Sequence, residues 1–173
     1  MLTSPRSAVT SPAYRAGALA LFGATMVIVA ALAFEHIGGF RPCELCLMQR
    51  WSYYAGLPLL FLALVALSGG HPRLASALFL LVAVAFLANA GLAVYQAGAE
   101  WKYWPGPTSC SGAQEISATA GSLLKDLAGT SVIRCDVPQI RILGLSFAGW
   151  NVLVSLSLFS LSLSAATRSS ARA

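Results

Sequence analysis

The sequence predicts an all-α membrane protein, a bundle of four transmembrane helices with two loops on one face. Composition is the first reason. Of 173 residues, 57% are hydrophobic and only 10% are charged, whereas a soluble domain is nearer a quarter charged. Spacing is the second. No charge falls within residues 17–34, 51–68, 74–95 or 146–165. A bilayer core about 30 Å thick is crossed by about 20 helical residues rising ~1.5 Å each. Buried helices of a soluble protein rarely go uncharged for so long. The whole chain, 1–173, reads as one such domain, with no internal repeat.

Taken in order, the first element is a polar tail ending near Arg15, which reads as disordered like the tail after 165. Span 17–34 follows. Arg6, Arg15 and the small residues Ala31 and Ala33 also resemble a signal peptide with its cleavage site, but three more spans follow and the run is long for one. Loop 35–50 contains RPCELCLMQR. Span 51–68 contains Pro58, a candidate kink. Span 74–95 and span 146–165 carry Asn89 and Asn151. An amide is costly in lipid, so both are expected to face the bundle and bond between helices. Small residues such as Gly23, Ala24, Ala83, Ala85, Ser155 and Ser157 suit close helix packing.

Loop 96–145 opens on Trp101, Tyr103 and Trp104, an interfacial aromatic belt before the rigid turn Pro105-Gly106-Pro107. Within it Ile116, Ala120, Leu123, Leu124 and Leu127 recur at helical spacing, with Gln114, Ser122, Lys125 and Asp126 between. This predicts a short amphipathic helix on the membrane surface.

Four spans place both termini on the side of the short loop 69–73. That side carries Arg6, Arg15, Arg73, Arg168 and Arg172 and no acid, so the net charge of +5 lies there. Long loops weigh little in the positive-inside rule. The termini are therefore assigned to the cytoplasm, and both cysteine-bearing loops to the outside. The basic residues are too few and scattered for a nucleic-acid surface, though they suit anionic lipid.

The chain has 4 cysteines, all in the outer loops: Cys43, Cys46, Cys110 and Cys135. Outside the membrane they meet an oxidising compartment, and four cysteines allow three connectivities. A structural disulfide suits Cys110 and Cys135, whose loop of intervening residues 111–134 would contribute about 3–4 kcal/mol if closed. It suits Cys43 and Cys46 poorly, because C-x-x-C closes almost no chain. Such short rings recur where thiols are made and broken. Zinc would need a second close pair, which Cys110 and Cys135 do not form. Arg50 lies one turn beyond Cys46 and on the same helix face. It reads as an interfacial anchor, or as a cation that stabilises a thiolate or the developing charge on a bound acceptor. A dithiol at the membrane edge, with no flavin or metal motif beside it, points to a lipid-soluble quinone as acceptor.

These residues resemble a known family, disulfide bond formation protein B (DsbB), the bacterial inner-membrane thiol oxidases. The resemblance rests on CELCLMQR before the second span, WPGPTSC into Cys110, and Cys135-Asp136-x-Pro138 followed by LGLSFAGWN. It spans nearly the whole chain. Vitamin K epoxide reductase-like proteins share four helices, a quinone and two cysteine pairs, but place the C-x-x-C after the loop pair. The resemblance implies that Cys110 and Cys135 form a loop disulfide that oxidises a soluble periplasmic partner of the DsbA type. It implies that Cys135 then passes electrons to Cys43, and that Cys46 delivers them to ubiquinone or menaquinone, held noncovalently beside Arg50. It implies a multi-pass inner-membrane protein, a monomer, with periplasmic cysteine loops and no metal.

Two positions depart from the pattern. Gln96 stands where many relatives have histidine, and can bond a quinone carbonyl but not carry a proton. Ile140 stands where many have tryptophan. The histidines lie elsewhere: His71 reads as a turn residue and His36 as interfacial. Two other readings remain from the sequence: a scaffold membrane protein with inert disulfides, and a quinone-linked thiol reductase of the same build.

Overall fold

A computed structural model describes residues 10–106, 137–138 and 140–171. Cys110, Cys135, the amphipathic segment 114–127 and residues 1–9 and 172–173 lie outside the described residues, whereas the tail after 165, read as disordered, is helix through Ser170. Among the described residues there are four long helices: α1 (Pro12–His36), α2 (Glu44–Ser68), α3 (Pro72–Glu100) and α4 (Phe147–Ser170). All four are long and apolar enough to cross a membrane. Each reaches beyond the uncharged run that betrays it. The local chemistry explains where they start. Ser11 caps α1, accepting the Tyr14 amide at 3.1 Å, with a proline in the first turn. Ser146 caps α4, accepting the Gly149 amide at 3.2 Å.

The largest difference from the sequence reading is at α2. It begins seven residues before Trp51, because Cys43 acts as its N-cap, with its sulfur accepting the Cys46 amide at 3.3 Å. The stretch read as loop 35–50 is therefore mostly helix, and Cys46 and Arg50 stand on it. Similarly α3 continues past Tyr95 to Glu100. Ahead of α4, Arg141–Ile142 (β1) and Leu145–Ser146 (β2) pair antiparallel in a hairpin, which the sequence reading treated as loop. Its turn places Leu143 at φ 53° and Gly144 at φ 83°, as a tight hairpin turn demands.

Consecutive helices run antiparallel and pack in a ring, α1 on α2, α2 on α3, α3 on α4, α4 on α1. The ends that meet at one pole are the C-termini of α1 and α3 and the N-termini of α2 and α4. Small residues allow close approach. Ala13, Ala16, Ala20 and Ala24 form the inner stripe of α1, facing Leu64 and Leu67 of α2 and Phe79 of α3. At Gly17 a Cβ would stand 2.6 Å from the Phe79 ring, so the bulk of Phe79 is matched to the missing side chain. Phe79 and Phe86 are fully buried, whereas Phe22, Phe61, Leu80, Leu81 and Val84 point outward and are exposed. An apolar exterior around a core of small residues is the inverse of a water-soluble bundle, and lipid is the solvent that suits it.

Asn89 and Asn151 face inward, as their cost in lipid requires. Asn89 donates to Ser155 Oγ at 2.9 Å, and Tyr53 donates to Asn151 Oδ1 at 2.6 Å. On the outer faces, Ser157 and Ser160 donate to the carbonyl four residues earlier, which hides their hydroxyls from lipid.

Candidate thiol and quinone site

The pole where α1 and α3 end and α2 and α4 begin holds a cavity of about 270 Å³. Its apolar wall includes Val27, Ile28, Phe34, Phe147 and Val154, and its polar groups include Glu35, Cys46, Gln49, Arg50, Gln96, Glu100 and Asn151. These polar residues sit on helices, so their geometry rests on rigid elements.

The thiols sit at the first turn of α2. Cys43 is buried and Cys46 partly exposed, both unbonded, with their sulfurs 2.6 Å apart. A small rotation closes that gap to a disulfide bond of about 2.0 Å. The N-terminus of α2 points its free amides and positive dipole end at the pair, which favours a thiolate there. The Cys46 thiol against it, together with burial, pushes the Cys43 thiol well above its ordinary value. Cys43 is thus the sulfur that keeps its proton.

Gln96, near the end of α3, holds the pair from the opposite side. Its amide nitrogen reaches Cys46 Sγ at 3.4 Å and Cys43 Sγ at 3.5 Å. Its carbonyl accepts from Gln49 Nε2 at 2.8 Å, and Gln49 in turn accepts from Asn151 at 2.5 Å. This fixes which way the Gln96 amide points: N–H toward sulfur. The sequence reading gave Gln96 a quinone carbonyl. Here its donors are engaged by the thiols and by Glu100, whose Oε1 accepts at 3.5 Å.

Arg50 Nη1 donates to Glu35 Oε2, joining α2 to the end of α1 across the cavity. Ile140 contributes to the apolar wall. His36 and His71 are exposed and line no part of the cavity. Glu35, Gln49, Tyr53 and Glu100 were not singled out in the sequence. A signal existed for the first two: Gln49 follows Cys46 by three residues, and Glu35 is the acid that ends the first span.

A family model described as disulfide bond formation protein DsbB matches residues 14–165. The chain belongs to the DsbB family. No curated protein and no solved structure matches it. Membership makes this a multi-pass membrane protein of disulfide bond formation, with disulfide oxidoreductase chemistry. In this DsbB-family chain the family match covers all four helices over most of their length and both C-x-x-C cysteines. The cavity fits a quinone head group by its own features. It is apolar on the side of α1, it holds polar side chains at one end, and a thiol pair opens into it.

Proposed function

We propose that the protein is a quinone-dependent thiol oxidase that regenerates a DsbA-type dithiol partner in the periplasm. One observation supports this reading above the others: a C-x-x-C pair caps a membrane helix and opens into an apolar cavity beside Arg50. A scaffold protein has no use for such a placement.

The partner's thiolate attacks Cys110 of the Cys110–Cys135 disulfide. Cys135 is released, attacks Cys43, and breaks the Cys43–Cys46 bond. Cys46 leaves as a thiolate at the helix N-terminus. The partner's second thiol then displaces Cys110 and the partner departs as a disulfide, while Cys110 attacks Cys135, restores the loop disulfide and releases Cys43. The two protons given up by the partner's thiols return Cys43 and Cys46 to a dithiol. A quinone, ubiquinone or menaquinone, supplies the sink for two electrons and two protons. Ile28, Phe34 and Phe147 would exclude water around it, and Arg50 would offset negative charge developing there. To do so Arg50 must leave Glu35, or share it. A DsbA-type dithiol lies near −120 mV, so its oxidation needs a still stronger acceptor, and each ~30 mV of difference contributes about 1.4 kcal/mol. The protein lies in the bacterial inner membrane with both termini in the cytoplasm, as a monomer in which Cys43, Cys46, Cys110 and Cys135 are the redox-active residues.

The test is quinone reduction by the purified full chain given a reduced DsbA-type partner. Wild type turns over, and Cys46→Ser and Cys110→Ser both stall. Quinone left unreduced by wild type, with all four cysteines inert, would sink the reading.

A further inference from the structure

Two carboxylates line the cavity, and the structure treats them differently. Glu35 is paired with Arg50, so its carboxylate is already engaged by a cation. Glu100, the last residue of α3, is 8% exposed. Its Oε1 accepts from Gln96 Nε2, but its Oε2 is buried with no hydrogen-bond partner among the described residues. Native structures rarely leave a buried carboxylate oxygen unpaired, because desolvation costs about 1–3 kcal/mol or more. A proton on that oxygen, taken up and released, would give it a purpose.

The neighbours show whose proton. The Gln96 nitrogen that meets Glu100 also meets both sulfurs. One amide nitrogen thus stands between the Glu100 carboxylate, which it meets at Oε1, and the two thiols. Among the described residues, the groups that face Glu100 are the Cys46 thiol from α2, Gln96 from its own helix, the Arg141 guanidinium from β1 and the Ser146 hydroxyl ahead of α4. None of them is a neutral base. Gln96 cannot hold an extra proton near neutral pH, and His36 and His71 line no part of the cavity.

We propose that Glu100 is the proton acceptor for Cys46, with Oε2 receiving the thiol proton directly or through one water. The proposal rests on the oxidase reading. Closing the reduced pair breaks two S–H bonds, forms one S–S bond, and releases two electrons and two protons. Both electrons and both protons end on the quinone. Glu100 Oε2 holds the proton from Cys46 Sγ while Cys46 is a thiolate, and gives it up as the Cys43 sulfur closes on Cys46. The second proton leaves Cys43 Sγ in that closing step. Gln96 positions both partners and carries no proton.

Two measurements on the full chain test this. The first uses quinone-free protein and reads the infrared difference spectrum between its dithiol and disulfide forms. The expected result is a protonated-carboxyl C=O band that changes with the state of the pair, shifts in D₂O, and is absent in Glu100→Gln. The second is the pH profile of quinone reduction. General acid–base groups contribute about 10²–10⁴-fold, so Glu100→Gln should fall by at least about 10²-fold and lose one limb of the profile, and Glu100→Asp should restore part of both. A carboxyl band that survives in Glu100→Gln overturns the proposal, as does its absence in wild type. A uniform fall with an unchanged pH profile overturns it too, since that is the mark of a positioning residue. Failure of the oxidase reading is separate: wild type then reduces no quinone, whatever the infrared spectrum shows.

Discussion

Cys43 acts twice through one sulfur, as helix cap and as redox partner. Serine is a stronger cap than a thiol, so Cys43→Ser should leave thermal stability unchanged or slightly raised while abolishing electron transfer. A large fall in the melting temperature would show that the sulfur was structural. The two thiols also differ. Cys43 is buried and held protonated by its neighbour. A raised value favours the neutral thiol, so Cys43 becomes reactive only as pH climbs above the ordinary thiol range. In reduced protein at neutral pH, alkylation followed by peptide mass spectrometry should label Cys46 first; Cys43 labelling first would contradict the geometry. The pair, Arg50 and the inward amides were legible as residue types at a spacing. Glu100 was not, because its significance lies in a partner it lacks, and an absent hydrogen bond leaves no mark on a sequence.

The elements were legible by their centres and not by their ends. An uncharged run shows where a helix must be apolar, but a helix continues beyond the apolar slab as long as its caps allow. Cys43 starts α2 by capping it, and no rule of hydropathy announces that. The consequence is functional: Cys46, Gln49, Arg50 and Tyr53 lie on one continuous helix and not partly on a loop. The β1–β2 hairpin was missed because its strands have two residues each, too few to show alternation. Packing between elements makes its own predictions. Gly17 has no room for a side chain against Phe79, so Gly17→Val should cost about 1–3 kcal/mol through overpacking, read as a loss of folded fraction in detergent titration with a denaturant. Asn89→Ala should cost only about 0.6 kcal/mol, the usual value of one interhelical hydrogen bond in a membrane. Its partner, the Ser155 hydroxyl, still reaches Asn151 Oδ1 at 3.4 Å.

At the scale of the whole molecule, the ring of four antiparallel helices gathers four helix ends at one pole, and the chemistry sits there. The sequence predicted the bundle from composition and spacing together, since 57% hydrophobic residues with four long uncharged runs leave few other folds. It could not show that Glu35, Gln96 and Asn151 converge on the cavity beside the thiols, because residues so far apart meet only after the helices have packed. The central claim is that this pole passes electrons from a dithiol to a quinone. The most direct measurement is a single turnover without any partner: anaerobic, fully reduced protein carrying Cys110→Ser and Cys135→Ser is mixed with limiting quinone. Quinone absorbance and the state of Cys43 and Cys46 are followed together. The account predicts one Cys43–Cys46 disulfide formed for each quinone reduced. Quinone that stays oxidised beside a reduced Cys43–Cys46 pair would contradict it.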